Sequence, residues 1–246
     1  MCGVCGFVDF SSKRRGDDMR KNIFRMSNVL AHRGPDDSGV WIDQDIGIAF
    51  GHRRLSIVDL STAGHQPMES HSGRYEISLN GEVYNFLEIR KKLEADGNCV
   101  WRGHSDTEVI LEAIDSWGIA EALKSFNGMF AFALFDRLKR RLYLVRDRLG
   151  KKPLYYGQVG SVFLFASELK SIRQHEDLKP EIDRDVLALY LRYNYVPAPY
   201  SIYKNIYKLL PGKMFVADLG DKCILNKEIV SFWSAKDITE SGANIP

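Results

Sequence analysis

The apolar positions of this chain fall mostly into short strand-like runs, several of them separated only by tight turns. Residues 2–10 read as a buried strand that begins at the very terminus. Residues 17–32 follow as an amphipathic helix, with Met19, Ile23, Met26 and Leu30 on one face, and Gly34-Pro35 then breaks the chain. Strand-like segments come next at 39–42, 46–50 and 54–58. Another, at 75–79, runs into Asn80-Gly81, a turn dipeptide. Residues 84–96 read as a helix with Phe86, Ile89, Arg90 and Leu93 as its spine and Gly97 just past its end. Ser105, Asp106, Thr107 and Glu108 make a capping-box pattern ahead of a helix to Trp117, closed by Gly118. Strand-rich stretches follow at 129–135, 141–146, 154–157 and 162–166.

Strands outnumber helices, which argues for an α+β protein of antiparallel sheets covered by a few helices. A parallel doubly wound sheet does not fit. The character changes after about Ile172. Residues 185–193 read as one more helix, residues 195–199 as an irregular stretch, and the tail turns polar from Ser234 with no closing element. That ending reads as a fragment boundary, giving a main domain over 2–217 and a connecting stretch over 218–246.

Composition adds exclusions. The 246 residues are 45% hydrophobic and 27% charged with a formal net charge of +2, so no strong field points towards nucleic acid or an anionic membrane. No apolar run approaches the roughly 20 residues of a membrane helix, and the N-terminus lacks a secretion signal. A cytoplasmic protein is expected. Cysteines at 2, 5, 99 and 223 give no disulfide framework. Cys2 and Cys5 form a C-x-x-C, for which a redox pair or half a zinc site is the alternative reading. No second C-x-x-C and no helix signature follow, so no metal is expected.

The candidate chemistry begins at Cys2, directly after Met1. Removing Met1 would leave Cys2 with a free α-amino group, whose reference pKa is about 7.7–8.0. Such an amine can take the thiol proton itself or through one water, so nucleophile and base belong to one residue. The thiolate is the reactive form, and a thiol pKa of about 8.5 needs little lowering.

Six motifs occur in order: Cys2-Gly3-Val4-Cys5-Gly6; His32-Arg33-Gly34-Pro35-Asp36; His52-Arg53-Arg54-Leu55-Ser56-Ile57-Val58-Asp59; Asn80-Gly81-Glu82-Val83-Tyr84-Asn85; Ser105-Asp106-Thr107-Glu108; and Gly128-Met129-Phe130-Ala131-Phe132. With these the chain, from Cys2 to roughly Gly212, resembles the glutaminase domain of class II glutamine amidotransferases in the asparagine synthetase branch. That family belongs to the N-terminal nucleophile hydrolases, so the resemblance implies an αββα sandwich of two antiparallel sheets.

It further implies that Cys2 is the nucleophile, with Asn80 and Gly81 as the oxyanion hole. Asn80-Gly81 also reads as an ordinary hairpin turn, and a positive φ there would let a backbone N–H reach a ligand. Arg54 matches the arginine that clamps the α-carboxylate of glutamine, while strand alternation turns Arg53 to the opposite face. Backbone groups of Leu55, Ser56, Ile57, Val58 and Glu82 would line the pocket. Asp106 matches the acid that binds the α-ammonium, and equally reads as a helix-start carboxylate favoured by the dipole.

Asp36, Asp37 and the run Arg146-Asp147-Arg148-Leu149-Gly150-Lys151-Lys152-Pro153-Leu154-Tyr155-Tyr156 fit the family pattern without a chemical step. The histidines read as structural.

The implied substrate is glutamine, hydrolysed to glutamate and ammonia without a cofactor. In full-length members the ammonia passes to a C-terminal synthetase domain in cis that uses ATP and Mg to amidate aspartate. The phosphate-binding loop of that domain does not occur in this sequence, so this chain alone is expected to act as a glutaminase only. A homodimer is left open. Two rivals stand: the same glutaminase feeding a sugar or surface-polysaccharide precursor, and a non-catalytic glutamine-binding module.

Overall fold

The computed structural model describes residues 1–11, 16–97, 100–219 and 227–242. The elements in chain order are β1 (Gly3–Asp9), α1 (Gly16–Asn28), β2 (Asp37–Asp43), β3 (Ile48–Arg54), β4 (Met68–Glu69), β5 (Tyr75–Val83), α2 (Phe86–Ala95), α3 (Asp106–Trp117) and α4 (Ile119–Ser125). They continue with β6 (Gly128–Asp136), β7 (Arg141–Arg146), β8 (Tyr155–Val159), β9 (Val162–Ala166), α5 (Leu169–Ile172), α6 (Arg184–Tyr193), β10 (Ile206–Lys208), β11 (Lys213–Asp218), β12 (Lys227–Ser231) and α7 (Ala235–Gly242).

Two six-stranded sheets result, ordered β10-β8-β9-β1-β3-β2 and β12-β11-β7-β6-β5-β4. The pairings within them are antiparallel.

Strand β1 explains why the layers stack. Every residue from Gly3 to Asp9 is buried, because both faces of the strand are covered. Cys5 and Phe7 point one way, into a core completed by Met19, Ile23 and Met26 of α1 and Ile172 of α5. Val4 and Val8 point the other way, against Ala133, Phe135, Leu144 and Phe215 of the second sheet. The outer face of that sheet, through Ile77, Leu79, Phe132 and Leu134, packs on α2, α3 and α4. The order of layers is therefore helix, sheet, sheet, helix, as the family resemblance implies.

Two sequence expectations fail, and both failures shape the site. Residues 54–58 are not a strand. β3 runs on to Arg54 and stops there because its neighbours run out: Gly3 pairs with Arg53 on one side and Asp37 with Arg54 on the other. Asn80-Gly81 is not a turn either. β6 supplies partners as far as Gly128, so β5 continues straight through, with Asn80 opposite Ala131 and Gly81 opposite Phe130.

Gly81 is extended rather than left-handed, and its need is space. A Cβ there would lie 2.3 Å from the Met129 carbonyl oxygen and 2.5 Å from the Phe130 Cα. Gly81→Ala is expected to cost about 1–3 kcal/mol or more by overpacking, read as a lower urea midpoint.

Smaller differences have local causes. α1 ends at Asn28, four residues early, and tight bonds such as Leu30 N–H to Ser27 O (2.9 Å) and Arg33 N–H to Leu30 O (2.9 Å) carry the chain on. The polar tail contains α7, and residues 227–231 within the stretch read as a connection form an edge strand on β11. Cys99, Cys223 and residues 243–246 lie outside the described residues. Among the described residues no helix is long and apolar enough to cross a membrane.

Candidate active site

The end of β3, the middle of β5, the start of β1 and the N-terminus of α3 meet at a cavity of about 310 Å³. Cys2, Arg54, Leu55, Ile57, Val58, Asn80, Gly81, Glu82 and Asp106 all line it. Ser56 is the exception among the candidates. It lines an outer groove with Asp36 and Leu60 instead, because its N–H is drawn to Asp36 Oδ2 at 2.8 Å.

Cys2 is held from both sides. Its Sγ accepts a hydrogen bond from Leu55 N–H at 3.4 Å, and its carbonyl accepts one from Arg33 Nε at 2.8 Å. Arg33 in turn donates to Glu168 Oε1 at 2.7 Å, with His32 on the same carboxylate oxygen at 3.1 Å. The motif around His32 and Arg33 thus anchors the N-terminus.

Burial lifts the Cys2 thiol above its ordinary pKa, partly offset by Leu55 N–H and by the positive charges of the terminus and Arg54. The sequence-based expectation of a thiol needing little lowering is corrected: this one depends on a nearby base. Met1 also lines the cavity. While Met1 is attached, the nitrogen of Cys2 is an amide and cannot serve as that base. Cys5 lies in the core beside α1 rather than at the cavity, and burial pushes its thiol up to about 12. The two sulfurs serve different layers.

Arg54 is buried, donating from Nη1 to Ser61 O at 2.9 Å and from Nη2 to Asp59 O. The loop after β3 therefore folds back to orient the guanidinium that precedes it. Arg53 points away, donating from Nε to Ser27 O at 3.4 Å, as strand alternation requires.

Asp106 opens α3 behind the N-cap Ser105, whose Oγ accepts from Glu108 N–H at 3.2 Å. Glu108 does not complete a reciprocal box. Its carboxylate takes the N–H groups of Arg102 (2.8 Å) and Gly103 (3.0 Å) instead. Asp106 is only 6% exposed, and its Oδ2 accepts from Val83 N–H at 3.0 Å. Burial raises its pKa to about 6, against the pull of the Val83 and Thr107 N–H groups.

Asn80 is 1% exposed, and among the described residues neither its Nδ2 nor its Oδ1 has a partner. A buried amide left unpaired costs on the order of 1–3 kcal/mol. Its place at the cavity wall gives both atoms a use only when something occupies the cavity. His52 behaves differently: its ring is buried, Nε2 sits 2.9 Å from Leu79 O between the sheets, and burial lowers its pKa to about 3.

Sequence reasoning missed Asp59, Gln66, Thr107, Met129 and Lys152 as cavity residues. Gln66 joins two walls, donating from Nε2 to Thr107 Oγ1 at 3.2 Å and accepting from Leu79 N–H at 2.7 Å. Lys152 comes from the run after Arg146 that had no chemical step. Asp147 accepts the N–H groups of Leu149 (3.1 Å), Lys151 (2.9 Å) and Lys152 (3.0 Å), curling that segment onto the cavity. Asp37 holds the far end of the loop after β3, with Oδ2 2.7 Å from His65 Nδ1.

Against known proteins, a family model described as a glutamine amidotransferase domain matches residues 1–227. The chain is 38% identical to a putative glutamine-hydrolysing asparagine synthetase 2 of Methanocaldococcus jannaschii, covering 96% of this chain and 47% of that protein. It is 43% identical to glutamine-hydrolysing asparagine synthetase 3 of Bacillus subtilis over 76% of this chain and 30% of that protein. This chain thus spans half or less of the length of these relatives. Among solved structures, a glutamine phosphoribosylpyrophosphate amidotransferase from B. subtilis superposes with a TM-score of 0.64 at 18% identity, covering 94% of this chain and 49% of that one. At that identity it speaks for the two-sheet sandwich alone.

Proposed function

This chain belongs to the glutamine amidotransferase domain family, and from that premise we propose that its cavity hydrolyses glutamine to glutamate and ammonia through a thioester on Cys2. The observation that carries the reading is the buried, unpaired Asn80 amide in the cavity that also holds the Cys2 thiol.

The chemistry follows from the placement of groups. With Met1 removed, the α-amine of Cys2 takes the thiol proton, and the thiolate attacks the carboxamide carbon of glutamine. Negative charge develops on the former carbonyl oxygen, where Asn80 Nδ2 and the Gly81 backbone N–H are the available donors. Collapse breaks the C–N bond. Ammonia leaves with the proton returned by the α-ammonium, and a γ-glutamyl thioester remains. Water deprotonated by the same amine then attacks the thioester, and glutamate and the thiol are released.

Arg54 and Asp106 grip the α-carboxylate and α-ammonium at the other end, turning remote binding into orientation of the carboxamide. Neither a metal nor a cofactor enters any of these steps.

Asn80→Ala tests the carrying observation in two directions. Turnover is expected to fall about 10²–10³-fold through loss of an oxyanion donor. Stability is expected to change by no more than about 1 kcal/mol, because no hydrogen bond from the Asn80 side chain to the described residues is lost. Glutamate release and urea unfolding measured on one preparation check both; a fall in stability together with unchanged turnover would remove the assignment.

The names of the curated relatives support a further step, in which the ammonia amidates aspartate. In that reading a C-terminal ATP- and Mg-dependent domain follows in cis in the longer protein, and residues 218–246 lead towards it. Asparagine formation by the longer protein from glutamine, aspartate and ATP is the corresponding assay.

A further inference from the structure

Arg54 and Asp106 come from unrelated parts of the chain, the end of β3 and the start of α3, and one buried side chain ties those parts together. Asp59 is 7% exposed. Its Oδ1 accepts from Ser61 N–H at 2.8 Å, and its Oδ2 accepts from His104 N–H at 2.9 Å. Its own carbonyl receives Nη2 of Arg54. One residue therefore shapes the turn that holds the Arg54 fork. It also grips the backbone two residues before Asp106. The two strands of contact share no covalent path shorter than the run from 59 to 104.

The chemistry of the acceptor matters here. Each carboxylate oxygen takes one N–H, and both bonds are charge-assisted. An asparagine offers a single oxygen and would turn its own N–H₂ towards the other backbone N–H. The Ser61 hydroxyl first, and then the His104 and Ser61 N–H groups, hold the Asp59 carboxyl down at about 2, so the brace stays charged across any working pH. The opposite wall is fitted to it: a Cβ on Gly103 would lie 2.7 Å from Asp59 Oδ2.

We propose that Asp59 is a positioning residue that sets the spacing between Arg54 and Asp106, and through it the affinity for the amino-acid end of the substrate. The inference rests on the glutaminase reading above. Asp59 has no part in the thiol chemistry, so its loss is expected to separate binding from catalysis.

Two variants reach the brace from opposite sides: Asp59→Asn removes one arm, and Gly103→Ala wedges the same contact apart. In the processed protein each is expected to raise KM for glutamine about tenfold, the worth of one charge-assisted bond, with kcat within about twofold. Inactivation by a glutamine-shaped diazoketone should slow by the same factor. Alkylation of Cys2 by iodoacetamide, which has no amino-acid end, should not change.

Unchanged KM in both variants, or iodoacetamide labelling that falls in step with the diazoketone, overturns the positioning role. A parent protein that the diazoketone does not label at Cys2 overturns the glutaminase reading, and this inference with it.

Discussion

Cys2→Ala, in protein whose Met1 has been removed, is expected to slow glutamate release at least about 10⁴-fold, as loss of a nucleophile does in other acyl-transfer enzymes. The fold should tolerate the change. The Cys2 side chain is only partly buried, and the hydrogen bonds it makes are those with Leu55. A stability change within about 1 kcal/mol is expected. Retaining Met1 on the native cysteine should give a loss of similar size by another route. The sulfur is then present, but burial keeps it protonated and the amide nitrogen beside it cannot take the proton. Glutamate release by processed protein should accordingly rise with pH as the α-amine loses its proton, around its reference value of about 7.7–8.0. Intact mass measured with the assay separates the two cases. Full turnover by protein that still carries Met1 would contradict the mechanism.

Asp106→Asn should exchange function for stability. The Asp106 pKa rises from the ordinary 3.8 to about 6, chiefly because burial disfavours its charge. A carboxyl with a raised pKa in the folded state binds its proton more tightly folded than unfolded. Its contribution to stability is therefore fully present below about 4 and is lost as pH rises through about 6. At neutral pH the ionised group costs up to about 3 kcal/mol in the empty protein.

Asparagine is neutral and can still accept from Val83 N–H, so the variant should unfold at higher urea than the parent at pH 7.5. Below pH 4 the advantage should vanish. Glutamine binding should suffer in the opposite sense. Removing the charge opposite a buried ammonium typically costs about 2–5 kcal/mol, so KM should rise about 30-fold or more. In the parent the same titration predicts a KM that is flat above pH 7 and climbs as pH falls through about 6. A variant no more stable than the parent at pH 7.5, with unaltered KM, would deny Asp106 both roles.

Much of the scaffold was legible because its signals are local. The apolar runs within residues 141–146 and 162–166 read as strands at the bounds the structure gives. Ser105 caps α3 as its spacing demands. What misled were signals that tertiary pairing overrides. Asn80-Gly81 has turn composition, yet nine residues of β6 lie alongside β5 and keep it extended. Residues 55–58 continue the apolar character past Arg54, but among the described residues no neighbouring strand reaches beyond Arg54.

The short strands β10 and β12 pass unread: β10 has only three residues, and β12 carries just two apolar ones, Ile229 and Val230, so neither shows a period. The site divides the same way. Cys2, Arg54, Asn80 and Asp106 belong to motifs with chemistry of their own, and the structure brings them to one cavity. Asp59 and Lys152 gave no such signal, since their places depend on where loops far apart in sequence come together.

The most direct test is to mix N-terminally processed protein with glutamine, quench in acid within a turnover, and map the mass of the first peptide. A γ-glutamyl group on Cys2, absent from the Cys2→Ala variant, is the expected result. Steady release of glutamate with no adduct on that peptide, persisting when the thiol is gone, would contradict it.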